Sequence, residues 1–210
     1  MKKIETIYQR LYSSYPSIDT SLEYGTPFQL LIATILSAQC TDEVVNRTTK
    51  HLFIEYSEPE QLAKADIKKI KKIIYPTGYY SLKANRIKKT SKRLVNVYNS
   101  KVPDNMEDLL TLEGVGRKTA NIVLSVAFKK TQGIAVDTHV KRLSSRLGLT
   151  ESSNPEKIEI DLMKNLKREN WGRFSILLIL HGRKICNARK PDCDNCLLND
   201  LCPYFESKRK

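Results

Sequence analysis

Apolar residues in this chain return at three- and four-residue intervals in one segment after another, with no convincing run of the two-residue alternation that marks a strand. Side chains three and four apart share one helix face, so the pattern predicts an all-α fold. Thr26-Pro-Phe-Gln29 combines a capping hydroxyl, a proline at the first helical position and a capping-box glutamine. Phe28, Leu31, Ile32, Ile35 and Leu36 then form one apolar stripe, which places this helix in a core. Thr41 caps a second helix, Asp42 to about Tyr56, with Val44, Val45, Thr48, Leu52 and Phe53 turned inward. Short helices are expected at Pro59 to Ala65 and Ile67 to Ile74, ended by Pro76 and Gly78, and a longer one from about Leu82 to Val97. Pro103 opens a connecting segment. Beyond Gly133 the spacing predicts helices over about Thr138 to Leu147, Pro155 to Glu169 and Trp171 to Leu180, and Ser207 to Lys210 reads as a frayed tail.

With 36 Lys and Arg against 23 Asp and Glu, the 210 residues carry a formal charge of +13, which suits a polyanionic partner. Charge alone does not separate nucleic acid from an anionic membrane. The longest apolar run, Ile176 to Leu180, is too short to span a bilayer. Met1-Lys-Lys-Ile-Glu-Thr lacks the apolar centre of a signal peptide, so a cytoplasmic location is expected, nucleoid-associated in a prokaryote. Lys68, Lys69, Lys71, Lys72, Lys88, Lys89, Lys92 and Arg93 lie along amphipathic helices and read as solvated faces. No oligomer interface is legible, and a monomer is expected.

One stretch departs from simple helix patterning: Leu112-Glu-Gly-Val-Gly-Arg-Lys-Thr-Ala-Asn121. Gly114 and Gly116 flank Val115, so the backbone can turn tightly and approach a ligand without a Cβ in the way. A helix follows, Lys118 to Phe128, with Ala120, Val123, Leu124 and Ala127 at helical spacing. The free N–H groups of a helix start suit a phosphate, the logic of a helix-hairpin-helix clamp that holds a nucleic-acid backbone and reads no base. Leu112, Gly114, Val115, Gly116 and Arg117 are the candidate contacts. Taken alone, such a turn often only starts a helix. Lys118 alone reads as a solvated lysine, and Asp137 in Val136-Asp-Thr-His139 as a cap of the next helix. Together they describe an amine nucleophile and a carboxylate.

Four of the five cysteines fall in a C-x6-C-x2-C-x5-C pattern: Cys186, Cys193, Cys196 and Cys202. In a reducing compartment that spacing points to metal binding, not to disulfides. Four thiolates without histidine suit a [4Fe-4S] cluster; a zinc ribbon, the alternative, would more often pair two C-x2-C knuckles. Cys40 is expected as a small buried residue at an apolar helix end. Arg183, Lys184, Arg189 and Lys190 surround the first long cysteine loop, which a metal would fix and present to phosphates.

In this order, Pro27-Phe-Gln-Leu-Leu-Ile32, Leu36-Ser-Ala-Gln39, Leu112 to Asn121, Ala135 to His139, Leu180-His-Gly-Arg183 and the four cysteines resemble the endonuclease III family of base-excision DNA glycosylases and abasic-site lyases. The resemblance implies a two-domain helix-hairpin-helix glycosylase fold. A six-helix barrel would span about 20–130, and 1–19 with 131–210 would form the [4Fe-4S] domain, with a DNA cleft between them. It implies Lys118 as nucleophile, Asp137 as catalytic carboxylate, the four cysteines as cluster ligands and Gln39 as the residue entering the gap left by a flipped nucleotide. The implied reaction removes oxidised or ring-damaged pyrimidines from double-stranded DNA and nicks the strand by β-elimination. An attacking lysine must be neutral; Arg117 and the helix start would favour that state, and Asp137 would oppose it. One departure is Gly78-Tyr79-Tyr80-Ser81, where the family commonly carries an aliphatic wedge; Tyr79 would be an aromatic one. Two other readings compete: a mismatch glycosylase for adenine or thymine that hydrolyses with water, against which Lys118 speaks, and a non-catalytic iron–sulfur DNA-binding protein, which would need neither Lys118 nor Asp137.

Overall fold

The computed structural model describes residues 2–16 and 20–209, and every regular element among them is helical. Contacts divide the chain into two compact units, one of residues 20–130 and one of residues 1–19 with 131–210.

The first unit is built around α2, Pro27–Leu36. Thr26 Oγ1 accepts from Gln29 N at 3.2 Å, and Gln29 Oε1 accepts in turn from Gly25 N at 2.8 Å. The expected apolar stripe is wider than its spacing suggests: Phe28 and every residue from Leu30 to Leu36 are buried. The reason is tertiary, since α3 (Asp42–Glu55), α6 (Tyr80–Val97) and α8 (Arg117–Ala127) all pack against it. On α3, Val45, Thr48, Thr49 and Leu52 are buried, while Val44 and Phe53 are only half-buried. A capping box at Glu58 and Gln61 starts α4, Pro59–Lys64, and Asp66 caps α5, Ile67–Ile74, through Lys68 N at 2.9 Å. A 3₁₀ turn, Tyr75–Thr77, follows. Helix α6 starts two residues ahead of expectation, because Tyr79 itself supplies the carbonyl that Lys83 N bonds. The described residues of this unit hold seven α-helices. Among them is α7, Met106–Leu110, where Asn105 caps Asp108 N at 2.9 Å.

The second unit holds α1 (Lys3–Ser14), α9 (Thr138–Arg146), α10 (Pro155–Asn165), α11 (Trp171–Lys184) and α12 (Pro203–Arg209). Helix α1 lies outside the expected set, although Ile4, Ile7, Tyr8 and Leu11 follow helical spacing and are buried. The helix expected to reach Glu169 stops at Asn165: Leu166 turns extended, and its carbonyl accepts from Trp171 Nε1 at 2.9 Å. Helix α11 runs four residues past Leu180, carrying His181 to Lys184. In place of a frayed tail, residues 207–209 belong to α12, whose Tyr204 ring lies 4.4 Å below the Arg146 guanidinium; Lys210 is outside the described residues. No helix among the described residues is long and apolar enough to cross a membrane.

Because Leu31 is fully buried among these helices, Leu31→Ala should destabilise the protein by about 2–5 kcal/mol in urea unfolding. A loss below about 1 kcal/mol would mean that the surrounding helices close the cavity.

Candidate nucleic-acid interface and cysteine centre

The hairpin between α7 and α8 is pinned from behind. Val115 N donates to Leu112 O at 3.2 Å, and Thr90 Oγ1, from α6, donates to Glu113 O at 2.7 Å. Gly114 has φ +80°, and a Cβ there would stand 2.9 Å from Arg86 Cδ, so both conformation and space demand glycine. Gly116 differs: its backbone is extended and a Cβ would meet nothing within 4 Å. Its missing side chain therefore serves openness in front of the helix, not packing. Gly116 is the N-cap of α8 and offers the first turn no side-chain acceptor. Leu112 and Val115 bury their side chains and anchor the turn, which leaves main chain as what they can offer a ligand. Arg117 and Lys118, the first two residues of α8, are exposed, while Ala120, Val123 and Leu124 bury the opposite face.

Five non-glycine residues of this unit adopt left-handed backbone, among them Gln39 with φ +53° and Tyr79 with φ +47°. Each costs roughly 1–2 kcal/mol. Gln39 stands exposed in the turn after α2, beyond the helix end where its type alone would place it. Cys40, expected buried on that helix, is half-buried in the same turn and packs against the core. Tyr79 is 66% exposed at the N-cap of α6. Its neighbours Tyr75 and Tyr80 face each other with ring centroids 4.9 Å apart.

Asp137 belongs to the other unit and is the N-cap of α9; its Oδ1 accepts from His139 N and Val140 N, both at 2.8 Å. One oxygen thus fixes the carboxylate without the cap engaging the other. Burial holds His139 below the ordinary histidine range, so its neutral Nδ1 can accept from Arg142 Nη2 at 3.0 Å.

Cys186, Cys193, Cys196 and Cys202 line one cavity together with Leu143, Leu147, Arg146 and His181. Burial pushes the Cys196 thiol up to about 11 and raises Cys193 as well, so neither ionises readily near neutrality. A multivalent cation would reverse that preference. Among the described residues no three His, Cys, Asp or Glu side chains form a group suited to a single metal ion, although the four sulfurs share this cavity. Arg146 organises the loop: Nη1 donates to Cys186 Sγ at 3.2 Å and Asn187 O at 2.8 Å, and Nη2 to Ala188 O at 2.8 Å. Arg142 Nη2 donates to Gly182 O and Cys186 O at 2.9 and 3.0 Å. Arg189 and Lys190 stand exposed on that loop.

His181 is 1% exposed, and burial lowers it to about 4. The neutral ring lies 3.3 Å from Cys196 Sγ through Nε2 and 3.3 Å from Tyr15 Oη through Nδ1. Gly182 lets α9 approach α11, since a Cβ would come within 3.0 Å of His139 Nδ1. Arg142 and Arg146 escape reading by residue type, because arginines four apart on a helix look like a solvated face; His181 lies in the Leu180-His-Gly-Arg183 stretch that carries the resemblance, but its letter does not show that it is buried beside Cys196. Arg146→Gln should raise amide hydrogen exchange over residues 187–190 by about tenfold or more, whereas unchanged protection would mean the loop is held by other contacts.

The chain matches the HhH-GPD superfamily of base excision DNA repair proteins over residues 32–168. It is 52% identical to endonuclease III of Synechocystis sp. (strain ATCC 27184 / PCC 6803 / Kazusa) over 193 residues, 92% of this chain and 88% of that one. It is 40% identical to endonuclease III of Bacillus subtilis (strain 168), covering 100% of this chain and 96% of the relative. A trapped endonuclease III–DNA covalent intermediate, in its estranged-adenine complex, superposes with a TM-score of 0.94 at 38% identity over the whole of both chains.

Proposed function

As a member of the endonuclease III family, the chain is a base-excision DNA glycosylase with an associated abasic-site lyase activity, and we propose that Lys118 is its nucleophile and Asp137 its catalytic carboxylate. The observation that carries this assignment is local. Lys118 stands exposed on the first turn of α8, two residues after Gly116, where a Cβ would meet nothing within 4 Å.

Neutral Lys118 Nζ attacks C1′ of the damaged nucleotide and the base departs with the glycosidic electron pair. Loss of a proton from nitrogen and opening of the sugar leave a Schiff base. A proton then leaves C2′, and the electron pair expels the 3′ phosphate, which nicks the strand. Asp137 serves as proton acceptor or stabilises cationic sugar character, and its cap bonds hold the carboxylate in one orientation. C1′ is unreachable within a stacked duplex, so the nucleotide is flipped out, and poorly stacked damaged bases cost least to extrude. The substrates are oxidised or ring-damaged pyrimidines in duplex DNA. Gln39 and Tyr79 enter the duplex where the nucleotide has left, the amide toward the partner base and the ring as a stacking wedge. The main chain of Leu112 to Gly116, with Arg117, holds the phosphates, and Arg189 and Lys190 add a second basic contact.

Cys186, Cys193, Cys196 and Cys202 hold a [4Fe-4S] cluster, which fits a cavity shared by four sulfurs whose buried thiols need a cationic partner to ionise. When bound, it supplies the positive core that stabilises four thiolates and so fixes the loop bearing Arg189 and Lys190.

Borohydride trapping on duplexes carrying one thymine glycol or one abasic site tests the reading. A covalent adduct should form on both and vanish in Lys118→Gln, which should still bind DNA; an adduct that persists in the variant moves the nucleophile elsewhere. Cys193→Ser should abolish the visible absorption of the purified protein, and an unchanged spectrum would remove the cluster assignment.

A further inference from the structure

Lys83 sits in the first turn of α6 and is 2% exposed, yet it is a lysine. Its Nζ donates to two main-chain carbonyls from different segments: Leu36 O at 2.8 Å and Thr77 O at 2.6 Å. Leu36 closes α2, whose last carbonyls lack helical partners, and Thr77 closes the 3₁₀ turn before Gly78. The Thr77 hydroxyl is itself tied down, donating to Ile74 O at 2.8 Å. Taking an ammonium out of water is expensive, and a methionine would fill the same space without that cost. What a methionine could not do is hold two carbonyls from separate segments on one atom.

Each of the two segments it joins carries one of the unit's five left-handed non-glycine residues. Gln39 follows Leu36 by three residues and Tyr79 follows Thr77 by two, and both have positive φ. Between Thr77 and Tyr79 the chain passes through Gly78 at φ +66°, ψ 159°, a conformation that no other residue type adopts readily. Left-handed backbone persists in exposed turns only where surrounding structure over-determines it, and a bond shared by the two stems does so for both at once.

We propose that Lys83 is a positioning residue for lesion recognition: one buried ammonium sets the spacing between Gln39 and Tyr79, so that the amide and the ring enter the duplex as a unit. This rests on the reading of Gln39 and Tyr79 as duplex-entering residues. Lys83 touches neither substrate nor reacting atoms, and its effect passes entirely through the two stems. Loss of the bridge leaves each segment free to shift, and small misplacements of recognition groups carry large rate costs.

The test is a double-mutant cycle on the full-length, cluster-loaded enzyme. Lys83→Met is combined with Gln39→Ala and with Tyr79→Ala. Single-turnover excision of thymine glycol is measured opposite each of the four bases, below the melting temperature of every variant. Lys83→Met should slow excision by about tenfold opposite the preferred base and less opposite the others, compressing the spread among partner bases. In the Gln39→Ala and Tyr79→Ala backgrounds the same change should cost less than about twofold, because the group it positions is gone. Lys83→Gln, which keeps an amide donor, should recover part of the spread, and it replaces Lys83→Met in the cycle if the methionine variant does not fold. A purely structural lysine would lower the melting temperature and slow all four pairings by one common factor, or act equally in every background; either result overturns the proposal. If Gln39→Ala and Tyr79→Ala themselves leave excision and partner-base preference unchanged, the duplex-entry reading fails first and the inference falls with it, a distinct outcome.

Discussion

A helix buried on every side can bring only its ends to the surface. In the first unit that constraint falls on α2, whose residues from Leu30 to Leu36 are all covered by α3, α6 and α8. Its C-terminal end therefore becomes the place where a rigid scaffold meets solvent, and Gln39 stands in the first turn beyond it. Helix α8 shows the same economy from the other direction. Its buried face of Ala120, Val123 and Leu124 packs on that core, so its first turn and Lys118 are held by the scaffold and not by a loop. Groups placed on helix ends inherit the precision of the core.

The other unit solves a different problem. The segment from Cys186 to Cys202 contains only one fully buried apolar side chain, Leu198, so hydrophobic burial alone cannot order it. Arginine does much of that work. Arg142 and Arg146 reach from α9 to the carbonyls of residues 182 to 188, and the guanidinium of Arg146 is backed by the ring of Tyr204. These planar forks satisfy backbone acceptors that a short irregular loop cannot satisfy itself. The four cysteines line one cavity with Arg146.

Legibility followed the range of the interaction involved. Caps and periodicity act within four residues, so the caps at Thr26, Thr41 and Asp137 can be read from adjacent letters. The stop of α10 at Asn165 could not, because it depends on a bond from Trp171 to Leu166 that competes with continued helix. Tyr79 was legible as a departure from a pattern, but its left-handed backbone and exposure were not. Lys83 is the sharpest case: within a run rich in Lys and Arg it reads as one more solvated cation, and only the partners 47 and 6 residues away reveal a buried one.

By itself the sequence determined the helical class, the glycine turn with its following lysine, the carboxylate at a helix start and the close spacing of four cysteines. Each of these depends on residue type and on spacing along one stretch of chain, and periodicity or local geometry suffices to read them. Tertiary structure alone decided which lysine is buried, which glycine is required by packing and which merely leaves space, and which arginines hold the cysteine loop. Those outcomes turn on desolvation and on hydrogen bonds between segments distant in sequence, and burial changes the chemistry of a side chain without changing its letter.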